Sequence, residues 1–338
     1  MDTLTHALSG ALLARAAAPK DAPPASLPRR LAAGFFACAA PDLDFVVGLV
    51  GPVEYLAHHR GATHSLLLLP LWAFVFSWLL AKVLREPRGW RALYGVTALS
   101  LALHIAGDVI TSYGTMVLAP LSDWRARIGT TFIIDLWFSG IIAAGLAASA
   151  VFYRSRWPAI AASVILVGYV GFQYLQKEKA IELGERYAGA QGIEGATVAV
   201  HPRPVSAFNW TVFVSDAEAH RFAHVNLVRE EPRTYRPGDG LIAMLDSVYQ
   251  PLPAARWETR TRYGEGDAKP LALEAWNSPA MSGYRWFAAQ PAFDGMSAGS
   301  TCVWFVDLRF YTPGRDSLPF RYGACRDRPG EAWRLVPP

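Results

Sequence analysis

Seven side chains able to ligate a metal or move a proton lie in the apolar first half of the chain: His6, Asp42, Asp44, His59, His64, His104 and Asp108. Imidazole and carboxylate are the donors that borderline and hard divalent cations take. Ionisable groups at membrane depth are costly and usually face a bundle interior or a watery cavity. His104 and Asp108 are four apart, so on a helix both project from one face. Asp42 and Asp44 follow Pro41, which disfavours helix at Ala40. In an extended turn there, both carboxylates could reach one ion, or each could serve a different one. His59 and His64 bracket Arg60-Gly61-Ala62-Thr63. Gly61 permits a tight turn, and Thr63 or Ser65 can cap the helix that follows. Arg60 then stands at the site mouth, where its fork suits a phosphate or carboxylate.

Seven donors exceed the three protein ligands of an open catalytic zinc, which leaves room for two ions. Zinc ranks first for this nitrogen and oxygen set, with manganese or magnesium as alternatives. When bound, such a metal lowers the pKa of a water and polarises the reacting oxygen. Asp44 or Asp108, if not a ligand, is then a candidate base, and Arg60 a candidate anchor for an anionic group. Taken singly, each element has a plainer reading: a histidine capped by an aspartate, a solvated loop, a snorkelling arginine. His58 points away from its neighbour His59 and is a weaker ligand candidate.

Four runs are long enough to span a bilayer as helices of about 20 residues: Ser65–Leu84, Trp90–Ser112, Phe132–Tyr153 and Trp157–Leu175. Thr3–Ala18 is short and rich in small residues. Leu31–Val50 contains Asp42 and Asp44, each costing about 2.5–3.5 kcal/mol at a helix centre. These two segments read as short or re-entrant helices shielded by the four spans. Pro19–Arg30 is a proline-rich basic loop. Lys82, Arg85, Arg88 and Arg91 cluster in one loop, and Arg154 and Arg156 in another; Lys20, Arg29 and Arg30 agree with them. The positive-inside rule puts these loops in the cytoplasm and the chain after Leu175 outside it. Arg125 and Arg127, in the opposite loop, run against the bias. On this topology His6, Asp42, Asp44, His64, His104 and Asp108 all emerge at the outer membrane face.

Composition supports a membrane half joined to a soluble half. Of 338 residues, 52% are hydrophobic and 18% charged, against about 25% charged in a soluble domain; mean hydropathy is only +0.18. The net charge of +4 does not point to nucleic acid, because no Lys/Arg run carries interleaved aromatics and arginines flank membrane helices anyway. From Gln176 onward alternation appears, at Thr197–His201, Trp210–Ser215, His224–Val228 and Cys302–Tyr311, as expected of a mostly β domain. His201, His220 and His224 read as solvated strand positions. No CxxC pair occurs, which disfavours thiolate zinc chemistry. Cys38 reads as packing. Outside the cytoplasm Cys302 and Cys325 could pair, for which chain entropy gives roughly 3 kcal/mol.

The expected fold is therefore an α-helical membrane bundle over residues 1–175, with four firm spans plus one or two short or re-entrant N-terminal helices, followed by a mostly β extracytoplasmic domain over 176–338. Four segments carry a family resemblance: Thr5-His6-Ala7, Pro41-Asp42-Leu43-Asp44, His59-Arg60-Gly61-Ala62-Thr63-His64-Ser65, and the stretch from His104 through Asp108 to Thr115. Together they resemble the YdjM-type family of inner-membrane, metal-dependent hydrolases, over roughly the first 175 residues. Phe305-Val306-Asp307-Leu308-Arg309-Phe310 resembles a recurrent strand of longer members. The resemblance implies a bacterial inner-membrane protein and metal-assisted hydrolysis, and names no substrate. A site at the bilayer face favours a phosphoester or ester of a lipid or lipid-linked substrate. The alternative is a non-enzymatic, metal-stabilised transporter or assembly factor. The loop charges generate a test of orientation: a reporter fused after Pro338 should be active only as a periplasmic type, and strong cytoplasmic-reporter activity would reverse the topology.

Overall fold

A computed structural model describes residues 1–19, 23–297, 301–313 and 318–337. Lys20, used above for orientation, and Pro338 lie outside the described residues. The chain divides into two compact units. The first comprises residues 1–46, 58–176 and 202–207, and the second residues 47–57, 177–201 and 208–338.

The first unit is helical. Its helices are α1 (Thr3–Ala16), α2 (Leu27–Ala39), α4 (Leu69–Val83), α5 (Arg91–Val109), α6 (Leu136–Val151) and the first part of α7 (Trp157–Ala190). Asp2 caps α1 by accepting from the Thr5 amide at 3.0 Å. α1 packs against α2, α5 and α6, and its buried residues lie all round it. Its contact with α2 is unusually close. A Cβ on Gly10 would meet the Gly34 carbonyl oxygen at 2.1 Å and Cys38 Cβ at 2.4 Å; one on Gly34 would meet the Gly10 oxygen at 2.4 Å and Ala14 Cβ at 2.7 Å. Gly10 with Ala14, and Gly34 with Cys38, form facing small-residue pairs one turn apart, the arrangement by which membrane helices bring backbones together. Alanines continue the seam, with Ala14, Ala33, Ala37 and Ala81 packed beside Leu80, Leu93 and Val96.

Among the described residues, three helical stretches are long and apolar enough to cross a membrane: Leu27–Leu49, Arg91–Val109 and Trp157–Ala190. Two of the four expected spans, Trp90–Ser112 and Trp157–Leu175, are met by such stretches; a fourth span depends on a bent pair. Leu27–Leu49, read as re-entrant, qualifies by length and composition, since α2 runs directly into a 3-10 helix, Ala40–Leu49, rather than into an extended turn. The run Ser65–Leu84 yields only α4, of 15 residues and about 22 Å. Ser65 Oγ accepts from the amides of Leu67 and Leu68 in the turn before it, and Pro70 stands at its first turn. Pro52–His64, which begins with the short helix α3 (Pro52–His58), joined to α4 would make a fourth span bent by 79°. The run Phe132–Tyr153 yields α6, of 16 residues, because Asp135 starts it by accepting from the amides of Trp137 and Phe138. α7, by contrast, has 34 residues and passes the expected end at Leu175.

The second unit is mostly β. Strands β1 (Thr197–Pro202), β2 (Asn209–Ser215) and β3 (Ala219–Asn226) lie in order, with β5 (Trp257–Thr261) antiparallel along the start of β3 and β4 (Gln250–Pro251) parallel at its end. Strands β6 (Pro291–Met296), β7 (Cys302–Asp307), β8 (Arg321–Cys325) and β9 (Arg334–Val336) form an antiparallel sheet. Ala180 and its neighbours on α7 pack on one face of the first sheet with Val200, Trp210, Val212 and Val225. Phe213 and Phe222 pack on the other with Ala292, Val306 and Leu308. Burial on both faces explains why His220 and His224 are buried rather than solvated, as is His201. Their ring nitrogens meet β2 hydroxyls directly opposite, Ser215 at 2.7 Å and Thr211 at 2.8 Å. β3 ends at Asn226, short of the expected Val228, since Asn226 Oδ1 accepts from the amides of Val228 and Arg229. β7 ends at Asp307, whose carboxylate accepts from the Arg309 amide.

Cys302 and Cys325 are opposite each other on β7 and β8 and form a disulfide; Cys38 is a buried free thiol. Denatured, non-reduced protein should therefore titrate with one thiol, and three would contradict the pairing. The helix seam gives a second test. Gly34→Ala should destabilise by roughly 1–3 kcal/mol through overpacking. Gly95→Ala on α5, where a Cβ meets nothing within 4 Å, should be neutral or stabilising by up to about 1 kcal/mol. Thermal unfolding in detergent distinguishes them, and equal effects would refute the close seam.

Candidate metal centre

The site is assembled from four segments of the first unit. α5 supplies His104 and Asp108, with His104 Nε2 3.5 Å from Asp108 Oδ2. α1 supplies His6, whose ring stacks on His104 with centroids 3.8 Å apart and whose Nε2 lies 3.1 Å from Asp108 Oδ1. The 3-10 helix after α2 supplies Asp42, with Oδ1 3.7 Å from His104 Nε2. The turn Ala62–His64 supplies His64, whose Nε2 is 2.9 Å from His104 Nε2 and 3.1 Å from Asp108 Oδ2. One donor atom from each of His6, Asp42, His104 and Asp108 lies within 4.8 Å of the others, and all four residues are buried.

Asp42 and Asp44 part company on the 3-10 helix, which advances about 120° per residue. Asp44 faces the His59–His64 segment instead. It meets His59 Nδ1 at 2.6 Å and His64 Nδ1 at 3.3 Å, and accepts from the Arg60 amide at 2.9 Å and Thr63 Oγ1 at 2.8 Å. The backbone is arranged for this. Arg60 has φ +60°, a left-handed conformation that costs about 1–3 kcal/mol in a non-glycine residue. It aims its amide at Asp44 while its carbonyl accepts from the Met116 amide at 2.9 Å. Gly61 has no room for a side chain, since a Cβ would lie 2.7 Å from the His58 oxygen.

Arg60 is not at a mouth. Its side chain is buried, with Nη2 3.0 Å from Asp108 Oδ1 and Nη1 donating to Thr111 Oγ1 at 3.1 Å. The guanidinium also lies over the Tyr113 ring, 4.8 Å from its centroid, and Arg125 lies over the same ring at 5.3 Å. The Met1 amino group also donates to Asp108 Oδ1. Four participants were not among the expected site residues: Thr63, Thr111, Tyr113 and Cys38. Cys38 groups with His6 and His104 within the same 4.8 Å. Its signal was the four-residue spacing to Asp42, which on a continuing helix shares a face.

The donor set fits a divalent cation. His104 Nδ1 faces the Cys38 carbonyl oxygen at 2.5 Å, which can only accept, so Nδ1 carries the proton. His64 Nδ1 faces Thr63 Oγ1 at 2.9 Å. That hydroxyl already donates to Asp44, so His64 Nδ1 is also the donor. With both rings neutral, their Nε2 lone pairs would face each other. At 2.9 Å these repel unless a cation or a proton lies between them. Asp42 Oδ2, buried and hydrogen-bonded to no described residue, is an acceptor with the same need. Fixing a ligand histidine through its other nitrogen is how outer partners orient metal ligands.

A helical bundle with apolar spans and buried histidines and aspartates defines a membrane protein with a possible metal centre. Residues 1–180 match the family described as YdjM inner membrane protein, and the chain belongs to that family. It is also similar to the uncharacterized protein YfhP of Bacillus subtilis (strain 168), 31% identical over 175 residues, which are 50% of this chain and 52% of that protein. The chain thus spans about half the length of that relative. No solved structure matches it.

The geometry generates a graded expectation for metal binding. His104→Ala and Asp108→Ala should abolish it. Asp44→Asn, which disturbs the anchor of the His59–His64 segment, should weaken it about 10–100-fold. Calorimetric titration with zinc and manganese reads the contrast, and a wild-type affinity for Asp44→Asn would remove its orienting role.

Proposed function

We propose that this protein is a membrane-bound, metal-dependent hydrolase. Its substrate is a phosphoester or ester of a lipid or lipid-linked molecule at the outer face of the inner membrane. The observation that carries this reading is the pair of inward-turned Nε2 atoms of His64 and His104 beside the buried carboxylates of Asp42 and Asp108. His6, His64, His104, Asp42 and Asp108 would hold the cation, zinc before manganese or magnesium by donor type. Such a cation, when bound, supplies Lewis acidity and a water acidic enough to be a nucleophile near neutral pH.

The remaining steps belong to the chain. Asp44, a candidate base by sequence, spends its oxygens on four donors and is assigned a positioning role. It holds His59 at Nδ1, so any proton His59 exchanges with substrate passes through Nε2. We assign proton transfer to His59. Arg60 Nε is hydrogen-bonded to no described residue, which gives an anionic substrate an N–H donor while Nη2 holds Asp108. Access supports a lipid. The side chains of His59 and Asp42 are 11% exposed, whereas those of His64, His104 and Asp108 are fully buried. On the same 3-10 helix, Leu43 and Phe45 alternate with the two aspartates and are 60% and 57% exposed. The polar edge of the site is therefore bordered by apolar side chains suited to acyl chains.

The outward orientation rests on the basic loops and is supported by the Cys302–Cys325 disulfide, a bond of oxidising compartments. The test is metal analysis together with turnover of membrane lipid extract by the full chain in nanodiscs. Wild type should retain divalent metal and form a product that chelation prevents. His64→Ala should lose both while its helical circular dichroism persists. Product formed equally with chelator, or no metal after metal-replete purification, would overturn the reading. Metal retained without turnover is the result expected of the non-enzymatic alternative.

A further inference from the structure

A second polar feature of the first unit lies apart from the metal centre. A cavity of about 920 Å³ is lined by Arg15 and Ala18 from the end of α1, by Leu27 and Pro28 at the start of α2, and by Tyr153–Trp157. Three guanidinium groups border it, those of Arg15, Arg154 and Arg156. Among the described residues no carboxylate pairs with any of them. Arg15 is 92% buried by its 8% exposure. Its Nη2 donates to the carbonyls of Tyr153 at 2.6 Å and Ser155 at 2.7 Å. Arg156 Nη1 donates to the Ala18 carbonyl at 3.1 Å, and Arg154 Nε to Tyr153 Oη at 3.1 Å.

These contacts order the guanidinium groups without neutralising them. A buried cation such as Arg15 is normally paired, and among the described residues carbonyl and hydroxyl oxygens alone leave three positive charges around one concavity. The N-terminus of α7, which begins at Trp157, adds the positive end of a long helix dipole. Tyr153 and Trp157, 64% and 70% exposed, flank the cavity with the two aromatic types that sit at head-group depth. Arginine forks match phosphate oxygens in geometry as well as in charge.

We propose that this cavity binds the phosphate of a net-anionic phospholipid head group, in the leaflet opposite the metal centre. The occupant is a structural or regulatory lipid, distinct from the substrate. Several cations make a head group with two phosphodiesters the better match. The proposal needs neither the metal nor the hydrolase reading. The leaflet named follows from the span directions, because α1 carries His6 near its start and Arg15 near its end.

Native mass spectrometry of the full chain, with cardiolipin, phosphatidylglycerol, phosphatidylcholine or inorganic phosphate added, tests it. Wild type should retain cardiolipin and phosphatidylglycerol over phosphatidylcholine. The double variant Arg154→Gln with Arg156→Gln should lose about 25-fold in that retention, at roughly fivefold per arginine near a membrane surface. Its thermal unfolding and metal content should match wild type. Arg15→Gln should lose retention too, but it also frees the Tyr153–Ser155 turn, so the double variant decides. Equal retention of cardiolipin by wild type and double variant would overturn the proposal. So would equal retention of phosphatidylcholine, or binding of inorganic phosphate with no anionic lipid retained.

Discussion

Asp108 is a carboxylate with no exposure, and the helical unit is organised around making that tolerable. An isolated buried charge costs several kcal/mol even after relaxation. Here the compensation comes from every side: His104 one turn earlier on the same helix, His6 from α1, the Met1 amino group just ahead of it, and Arg60 and His64 from the turn before α4. The partners arrive on separate segments, so no helix pair alone satisfies the carboxylate. Packing of α1, α2, α5 and the His59–His64 turn must be right together.

Small residues make that simultaneous packing possible. Gly10 and Gly34 let α1 and α2 approach with backbone against side-chain-free backbone. The α1 face that carries His6 then reaches His104, and the end of α2 brings Asp42 to the same place. A 3-10 helix follows, and it separates two neighbouring carboxylates into different tasks. Asp42 turns to the histidine cluster, and Asp44 ties down the segment that delivers His64. The left-handed Arg60 is the local cost of that second task. In α6, Asp135 plays a quieter role: it caps the helix and accepts from Tyr169 and Gln173 of α7, so a membrane carboxylate is satisfied without belonging to the site.

The same principle governs the β unit, with hydroxyls in place of charges. Its first sheet is covered on both faces, so alternation of polar and apolar residues along β3 does not mean alternation of water and core. His220 and His224 keep their polarity by pairing with Ser215 and Thr211 across the ladder. The disulfide between Cys302 and Cys325 closes adjacent strands of the second sheet, in a unit whose inner layers mix aliphatic and aromatic side chains.

What the sequence determined by itself was the inventory of donors and the class of protein. His104 and Asp108 at helical spacing, the histidines around Gly61, and long runs without charge are local features, and local features survive any packing. The strands at 197–201 and 210–215 were legible for the same reason. Tertiary structure decided which donors meet. The divergence of Asp42 from Asp44 depends on a 3-10 geometry that two-residue spacing cannot reveal. The recruitment of Cys38 and Thr63, and the burial of Arg60 against Asp108, depend on atoms 19 to 66 residues away in sequence. Helix ends were also decided there. Ser65 holds two backbone amides ahead of α4, and Asp135 caps the first amides of α6, shortening two runs whose hydropathy alone read as full spans. Hydropathy reports what a segment can bury, whereas hydrogen bonds to particular side chains fix where it starts and what it touches.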